Sequence, residues 1–420
     1  MSMKVLLLTD YFYPFTPGGA EWSVYELAKS LKKRGIQPVV VTLNYGAESE
    51  ELYDGLKIVR IPFFKKLTQL RKVVNPIWQN NPLFFITSAY YLIKVIQKEK
   101  PDLLHIHGKF LIPGAVIAGF ITRKPVVVTI RDKQILCSYG KCFFEKGRYK
   151  ACDWREYLTV DLGWYYQNYV KDKNIIKLLY TFISAVWTRL SFKMIALFAK
   201  RADAITAISQ SQKKYLMKNG FKHVITIYNV AQFSQPKIIS SDVKSILFVG
   251  KLSLGKGGVE LIAAIPKVLK KMKVKFIFAG SVDLKEQIKD KMRNKIFKEN
   301  TRFLGPVPHQ KLTDLYKKSS VIVMPSIYPE AFGRVALEAI SQGTPVIVSN
   351  RGALPEIIED KKPGRIIEVT SNTLAKAIID VVNHENIYRK NIKESYQKLV
   401  NKFNKEPVEK HLKLYQKLTK

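Results

Sequence analysis

Short runs of apolar residues recur through the first half of the chain and alternate with stretches of helical periodicity. The runs occupy residues 5–9, 38–43, 103–107, 126–130 and 204–208, and a helical pattern over 20–34 follows the first of them. Short continuous apolar runs are typical of strands buried on both faces of a sheet, and their alternation with helices is typical of a parallel sheet. The pattern therefore predicts an α/β first half.

The same alternation restarts near residue 243. Further apolar runs lie at 245–249, 275–279, 321–324, 345–348 and 365–368, and helical patterns lie at 258–271, 284–298, 310–318 and 334–342. Between the halves, residues 232–242 lose periodicity and contain Ser, Gln and Pro, which is typical of a linker. We therefore expect two Rossmann-like, doubly wound domains that face each other across a cleft at the carboxyl ends of both sheets.

These patterns give a domain organisation in three parts. Residues 1–232 form an N-terminal Rossmann-like domain with an insertion at about 133–200, a segment far longer than an ordinary strand-to-helix connection. Residues 243–383 form a C-terminal Rossmann-like domain. The basic, amphipathic tail at 384–420 is expected to pack back on the N-terminal domain.

Two glutamates follow the apolar run at 321–324. Glu330 precedes the predicted helix and Glu338 lies about a turn and a half into it, so both can face one site. Carboxylates accept hydrogen bonds from vicinal hydroxyls, and the amides near Phe332 and Gly333 lie at a helix start that favours anionic oxygens. The alternative is a solvated helix face that happens to carry glutamate.

Two lysines lie in a glycine-rich stretch after the run at 245–249. Its glycines let the backbone approach a ligand, and Lys251 and Lys256 can clamp a diphosphate. The stretch lacks the Gly-Lys-Ser/Thr ending of a P-loop, and a Lys-rich turn in a Lys-rich protein is the alternative. Gly18 and Gly19 follow the first apolar run, without the G-x-G-x-x-G pattern of a nicotinamide site.

The stretch from Pro325 to Pro345, with its Glu pair, resembles the signature of retaining glycosyltransferases of family four, the group 1 enzymes, which have the GT-B fold. The resemblance implies a retaining transfer of a sugar from a nucleotide-sugar to a glycan or lipid-linked acceptor, such as a lipid-linked glycan or a cell-surface polysaccharide precursor, with no cofactor and no metal. It implies that the N-terminal domain binds the acceptor and the C-terminal domain binds the nucleotide-sugar. It also implies the residues that would bind the donor: Gly18, Gly19, Lys251, Lys256, Phe332, Gly333 and Glu338. Glu338 would hold the ribose, and Glu330 the hydroxyls of the donor sugar.

Arg131 departs from the pattern of the family, in which many members carry a histidine near the transferred sugar. Arg cannot act as a base near neutral pH. Either Arg131 binds an anionic group or another residue does this work, and in the mechanism proposed for the family the leaving phosphate can take the proton of the acceptor. His107, which alternates with His105 at the end of a run, is a further candidate, with packing as its alternative. The catalytic candidates are thus Glu330, Arg131 and His107.

The charge is the most unusual compositional feature. The 420 residues include 70 Lys and Arg against 34 Asp and Glu, a net charge of +36, which predicts an anionic partner. A nucleoside diphosphate needs few of these cations. The segments 82–100 and 174–200 mix aromatic and basic residues and would suit an anionic membrane surface. No nucleic-acid module is visible, so nucleic acid is not expected, and a Lys-rich background is a further alternative.

Cysteine content and hydropathy bear on the compartment. Three cysteines, Cys137, Cys142 and Cys152, are too few for a disulfide framework. They can be free thiols or an incomplete zinc site, and neither alternative indicates a function. No apolar stretch reaches the ~18–20 residues of a spanning helix. We expect a cytoplasmic protein, attached peripherally at the inner face of the plasma membrane. Two other functions stay open: a noncatalytic sugar-nucleotide or polyanion-binding protein, and a nucleotide-sugar epimerase of the same fold.

Overall fold

The computed structural model describes residues 2–16, 18–68, 73–136, 153–170, 174–233, 243–284, 288–358 and 362–420. The described chain divides into two compact units. Unit 1 contains the described residues of Met1–Cys142 and Arg148–Val230 together with Glu406–Lys420, and unit 2 contains those of Ala231–Lys405. The first unit therefore takes its last segment from the end of the chain.

Unit 1 is built on an eight-stranded sheet in the order β3-β4-β2-β1-β5-β6-β7-β8. All neighbouring strands pair in parallel except β3 and β4, which form an antiparallel hairpin at one edge. The strands are β1 (Lys4–Leu8), β2 (Gln37–Leu43), β3 (Glu50–Tyr53), β4 (Leu56–Ile61), β5 (Leu103–Ile106), β6 (Val126–Ile130), β7 (Ala204–Ala207) and β8 (Val224–Thr226).

Helices cover both faces of this sheet, and the buried apolar residues form one core on each face. The apolar runs of β1, β2 and β5 are buried because both faces are covered. The helices of unit 1 are α1 (Gly19–Lys32), α2 (Pro82–Glu99), α3 (Ile112–Thr122), α4 (Trp154–Glu156), α5 (Leu162–Tyr169), α6 (Ile175–Ala199) and α7 (Gln210–Lys218). A π-helical turn at Tyr157–Asp161 joins α4 to α5.

Unit 2 has a six-stranded, fully parallel sheet in the order β11-β10-β9-β12-β13-β14. Its strands are β9 (Ser245–Val249), β10 (Lys275–Ala279), β11 (Thr301–Gly305), β12 (Val321–Met324), β13 (Val346–Ser349) and β14 (Gly364–Ile367). Its helices are α8 (Gly258–Leu269), α9 (Lys295–Asn300), α10 (His309–Lys318), α11 (Arg334–Ser341), α12 (Leu354–Ile357), α13 (Ser371–Asn383) and α14 (Glu385–Val400).

The order of the strands determines where the candidate residues lie in each sheet. In both sheets the chain moves outward in one direction from the first strand and then in the other, so the order reverses between β1 and β5 and between β9 and β12. Loops that follow the carboxyl ends of such strands leave a crevice in which open α/β sheets bind ligands. Every candidate residue except Glu338 and Gly19 lies in a loop after β1, β5, β6, β9 or β12, and those two lie on the helices that follow.

The segment predicted as an insertion at 133–200 contains the helix that connects β6 to β7. The carboxyl-terminal half of α6 is core, with Phe192, Ile195 and Ala199 buried. The 25-residue α6 is long and apolar enough to cross a membrane by length and composition, which corrects the expectation that no segment reaches that length. Helix continues through the polar residues that interrupt the apolar stretch. Because its carboxyl-terminal half packs in a core of unit 1, we assign α6 to the fold of that unit.

The C-terminal tail divides between the two units. The prediction from the sequence was that all of residues 384–420 pack on the N-terminal domain. Helix α14 belongs to unit 2, and only the last helix, α15 (Glu406–Leu418), belongs to unit 1. There Val408, Leu414 and Tyr415 pack in the core that also contains residues of α1. Arg34 and Glu409 add an ion pair of 2.5 Å.

Candidate functional site

In unit 2 the loops after β9 and β12 contact each other. Because the two strands are neighbours, the chain segments that leave their carboxyl ends lie side by side. The N–H groups of Ile327 and Tyr328 donate to the carbonyl oxygen of Gly255, at 3.0 and 3.3 Å. Gly257 makes this packing possible, since its φ is +68° and a Cβ there would lie 1.9 Å from the carbonyl oxygen of Pro325.

Glu330 lies in this pair of loops and is ion-paired. Its Oε1 accepts hydrogen bonds from Lys256 Nζ and from Ser326 Oγ, the latter at 2.6 Å. Lys256 Nζ also lies 5.0 Å from the centroid of the Tyr328 ring. Burial alone would lower the pKa of Lys256, but the neighbouring Glu330 carboxylate raises it above its ordinary value, so the lysine keeps its charge. Two residues that the sequence predicted separately thus form one partly buried pair.

Glu338, on α11, accepts three hydrogen bonds. His309 Nε2, at 3.0 Å, and Arg334 Nε donate to Oε1, and Tyr316 Oη donates to Oε2 at 2.9 Å. Burial alone would raise the pKa of Glu338, but the His309 hydrogen bond and the Arg334 charge hold it at about 2. The carboxylate is therefore anionic near neutral pH, and Oε2 retains capacity to accept a ligand hydroxyl.

The three donors to Glu338 were missed from the sequence. Arg334 and Glu338 are four residues apart, the spacing of an ion pair on one helix face, which is the available signal for one of them. His309 and Tyr316 lie on α10, and nothing in their spacing relates them to α11. Only the packing of the two helices brings these side chains to one carboxylate.

Three other predicted residues of unit 2 make structural contacts. The Phe332 side chain is buried, with its ring centroid 6.2 Å from that of Phe403. Gly333 begins α11 with φ of +105°, and a Cβ there would lie 2.5 Å from a buried leucine side chain. Lys251 Nζ lies 2.7 Å from Asp283 Oδ2 on the surface. Phe332 and Gly333 can thus serve a ligand through backbone amides, and Lys251 through an exposed ammonium group.

Unit 1 contains a cavity of about 1260 Å³ at the carboxyl ends of β1, β5 and β6. Four residues predicted from the sequence line it together, namely Gly18, Gly19, His107 and Arg131. The polar floor also includes Asp10. The wall formed by the segment from α4 to α6 is aromatic and carries Tyr157, Tyr180, Trp187 and Phe192.

Arg131 is anchored by neutral partners. Its Nη1 donates to Asn229 Oδ1 at 2.9 Å, and its Nη2 donates to His107 Nδ1 at 2.8 Å. The pKa of His107 is held well below its ordinary value by burial and by the neighbouring His105 and Arg131. His107 is therefore neutral, but its Nδ1 lone pair already accepts from Arg131 and its lowered pKa makes it a weak base. Neither residue is thus set up as a base in this arrangement.

His105 supports His107 from within the sheet. The two rings lie on the same side of the strand end, with centroids 4.0 Å apart, as strand alternation predicts. His105 Nδ1 shares a hydrogen bond with Tyr415 Oη and its Nε2 shares one with Thr129 Oγ1, both at 2.6 Å. Because both of its ring nitrogens have protein partners, His105 has a structural role and orients its neighbours. His107 is the histidine that lines the cavity.

Two buried carboxylates of this cavity were missed from the sequence. Asp10 follows β1 and accepts hydrogen bonds from the N–H groups of Phe110 and Leu111, at 3.3 and 3.2 Å. Burial raises the pKa of Asp10 to about 7, against the lowering effect of these amides. Glu21, in the first turn of α1, accepts from the N–H of Gly18 at 3.0 Å. A carboxylate directly after an apolar strand was the signal for Asp10.

Family models match nearly the whole chain. Residues 17–231 match the model of Glycosyltransferase Family 4, and residues 230–398 match the model of Glycosyl transferases group 1. The chain belongs to glycosyltransferase family 4. The predicted family is thereby confirmed, and the protein is a glycosyltransferase.

Relatives of this glycosyltransferase span most of its length. An uncharacterised glycosyltransferase of Methanocaldococcus jannaschii is 27% identical over 366 residues, which cover 86% of this chain and 84% of the relative. The GPI3 subunit of the phosphatidylinositol N-acetylglucosaminyltransferase of Saccharomyces cerevisiae is 23% identical over 407 residues, covering 91% of this chain and 76% of the relative.

Solved structures share the fold of this glycosyltransferase. Sucrose-phosphate synthase from Thermosynechococcus elongatus superposes with a TM-score of 0.70 at 17% identity, over 99% of both chains. Anabaena HepE in complex with UDP-glucose superposes with a TM-score of 0.67 at 18% identity, again over 99% of both. The fold is therefore GT-B, as predicted.

The structure gathers the candidates of this glycosyltransferase into two groups, one in each unit. Gly18 and Gly19, predicted to bind the donor, line the unit 1 cavity with two catalytic candidates, and the remaining candidates lie in unit 2. Among the described residues, no group of three His, Cys, Asp or Glu side chains could hold a metal ion. The three cysteines lie outside the described residues.

Proposed function

We propose that this glycosyltransferase moves a sugar, with retention, from a nucleotide-sugar to a lipid-linked glycan or related amphiphilic acceptor at an anionic membrane surface. The observation that carries the proposal is the pair of carboxylates in unit 2, Glu330 beside Lys256 and Glu338 beside Arg334. Both follow β12 at the point where the strand order reverses.

The donor would be held in unit 2 by these groups. Glu338 is an anion with room for a hydroxyl donor, which suits a ribose diol. Lys256 and Lys251 would balance the charge that develops on the leaving diphosphate, without a metal ion in that role. A donor diphosphate that attracts Lys256 would also release Glu330 for the hydroxyls of the sugar. The HepE complex with UDP-glucose, which shares the fold, supports a nucleotide-sugar as donor.

The acceptor would occupy the cavity of unit 1. Its floor offers the carboxyl group of Asp10 and the ring of His107, which suit sugar hydroxyls, and its wall offers the aromatic side chains of Tyr180 and Trp187, which suit an apolar chain. Because Arg131 stays protonated and the Nδ1 lone pair of His107 already accepts from it, the leaving phosphate would take the proton of the acceptor, as a retaining transfer allows. The GPI3 relative, whose name contains phosphatidylinositol, supports a lipid-linked acceptor.

A membrane surface would be contacted by the exposed end of α6. We define the α6 apolar surface as Ile175, Ile176, Leu179, Tyr180 and Ile183, each more than half exposed. Tyr180 also lines the cavity, so this surface continues into the acceptor site. The net charge of +36 complements anionic lipid head groups, and the exposed apolar side chains would enter the head-group layer. This supports a peripheral protein at the inner face of the plasma membrane.

The test is transfer by the full-length protein on vesicles that contain total lipid-linked glycan acceptors, with UDP-, GDP- and ADP-sugars in turn. We expect turnover with one donor class, a product that keeps the anomeric configuration by NMR, and a loss of about 100-fold in kcat/KM for Glu330→Gln. Glu368→Gln is the matched control, because Glu368 is an exposed carboxylate paired with Arg351. Epimer formation without acceptor, or binding without turnover, would contradict the proposal.

A further inference from the structure

The protonation of His107 follows from its contacts. A guanidinium group only donates hydrogen bonds, so the Nδ1 atom that faces Arg131 Nη2 must carry a lone pair. Burial and the neighbouring His105 and Arg131 keep the ring neutral. A neutral imidazole carries one proton, and here it must lie on Nε2.

Among the described residues, the Nε2–H of His107 has no acceptor. In the part of the chain that the structure describes, this nitrogen is fully buried and makes no hydrogen bond. A buried donor without an acceptor costs free energy, and native structures rarely leave one unless a bound group satisfies it. His107 also lines the unit 1 cavity, which is large enough for a sugar. A ligand that enters that cavity and displaces the side chains that cover this nitrogen would be its acceptor.

The polar groups of the cavity floor indicate which class of ligand it can bind. The Nε2–H is a neutral donor, and Arg131 already contacts Asn229 and His107, so this corner of the cavity presents a directed hydrogen bond more than a free positive charge. Asp10, whose pKa burial raises to about 7, can donate or accept near neutral pH. One neutral donor beside a group that can do either matches hydroxyls, which also donate and accept.

We propose that His107 donates a hydrogen bond from Nε2–H to a hydroxyl oxygen of a sugar bound in the unit 1 cavity, and that Arg131 is the positioning residue that fixes this tautomer. The identity of the ligand as a sugar rests on the proposed function. The tautomer does not, and it is tested separately.

The tautomer is read by long-range proton–nitrogen NMR on the full-length protein with ¹⁵N-labelled histidine, with the His107 signals assigned by their loss in His107→Asn. We expect an unprotonated Nδ1 and a protonated Nε2 from pH 6 to 8. Arg131→Ala should release the ring to a mixture of both tautomers. A protonated Nδ1 in the native protein would overturn the proposal.

A matched pair of substitutions tests the hydrogen bond. In His107→Asn, the side-chain oxygen can still accept from Arg131, but no donor occupies the Nε2 position. In His107→Gln, the amide nitrogen can reach that position. Binding of octyl glucoside, octyl galactoside and octyl mannoside is measured in turn by calorimetry, below the concentrations at which they form micelles.

We expect the native protein to bind at least one glycoside, His107→Asn to bind it about tenfold more weakly, and His107→Gln to stay within about threefold. The same order is expected for kcat/KM of transfer. If His107 only packs against Arg131, Asn will preserve binding and Gln will weaken it, and that result overturns the proposal. Absence of binding to all three glycosides overturns the sugar assignment, even if transfer to another acceptor class is found.

Discussion

At the scale of single residues, Lys256 has two roles: it stabilises unit 2 and it is a candidate for binding the donor. Its ammonium group is paired with Glu330, whose side chain is only 13% exposed. Removing one member of such a partly buried pair leaves the other charge without compensation. The same two groups that would handle the donor therefore hold the loops after β9 and β12 together.

We expect Lys256→Met to lower the free energy of unfolding of unit 2 by about 2 kcal/mol, because the partly buried Glu330 carboxylate loses its cation. Lys251→Met is the matched control, since Lys251 and its partner Asp283 are much more exposed, and it should change stability by less than about 0.5 kcal/mol. Urea unfolding measures both. Equal effects of the two substitutions would show that burial of the pair does not matter.

Asp10 gives a dependence on pH. Its folded-state pKa of about 7 is above the ordinary carboxyl value of 3.8, so the folded protein binds a proton that the unfolded chain releases. The contribution of Asp10 to the free energy of unfolding is therefore at its maximum below about pH 4, and it is lost as pH rises toward 7. Asp10→Asn cannot ionise, and we expect it to be more stable than the native protein at pH 8, by on the order of 2 kcal/mol.

This advantage should shrink steadily as pH falls from 8 to 5, where the native carboxyl group is protonated. Thermal unfolding midpoints of both proteins across that range measure it. Asp132→Asn is a suitable control, because Asp132 is a more exposed carboxylate near the same strand ends. An advantage that is constant with pH would contradict the raised pKa of Asp10.

At the scale of elements, strands that are buried on both faces could be predicted from sequence and edge elements could not. The runs at 126–130, 245–249, 275–279 and 321–324 coincide with β6, β9, β10 and β12. The strands β3, β4, β8 and β11 were missed. Three of them, β3, β8 and β11, lie at sheet edges and have exposed residues. The fourth, β4, lies next to an edge, and its apolar run is interrupted by Lys57 and Arg60. The predicted helix at 284–298 is interrupted at Asn294, whose side chain caps α9.

The candidate site residues were likewise predictable where they follow buried strands and not where they lie on other elements. Those at the ends of the buried strands were found because strand ends locate the crevice. Their partners were missed where distant elements supply them: His309 and Tyr316 come from α10, and Tyr415, which contacts His105, comes from the last helix. Periodicity describes one element at a time, whereas these contacts depend on how several elements pack.

The element most open to test is α6, because its two halves differ. We expect the triple substitution Ile176→Ser, Leu179→Ser and Ile183→Ser to reduce sedimentation with anionic vesicles by about tenfold, since it removes three exposed apolar side chains from the α6 apolar surface. The unfolding midpoint should stay within a few degrees, because the buried half is unchanged. Ile387→Ser, at an exposed position of unit 2, should bind vesicles like the native protein.

At the scale of the whole molecule, the chain leaves unit 1 at Val230 and re-enters it at Glu406. The returning helix α15 buries Val408, Leu414 and Tyr415 against the core that β1 and α1 share. The Tyr415 hydroxyl also holds His105, which packs against His107. The end of the chain thus supports both the core and the candidate site of unit 1.

Deletion of residues 406–420 should therefore affect the two units unequally. We expect unit 1 to lose several kcal/mol, because three buried apolar side chains are removed and their partners are exposed. The core of unit 2 contains none of the deleted residues, so its unfolding transition should persist. Tyr415→Phe is the milder companion: it keeps the core and removes only the hydroxyl, so it should leave stability within about 1.5 kcal/mol of the native value. Calorimetry resolves the transitions, and a single transition lowered as a whole would mean that the units unfold as one.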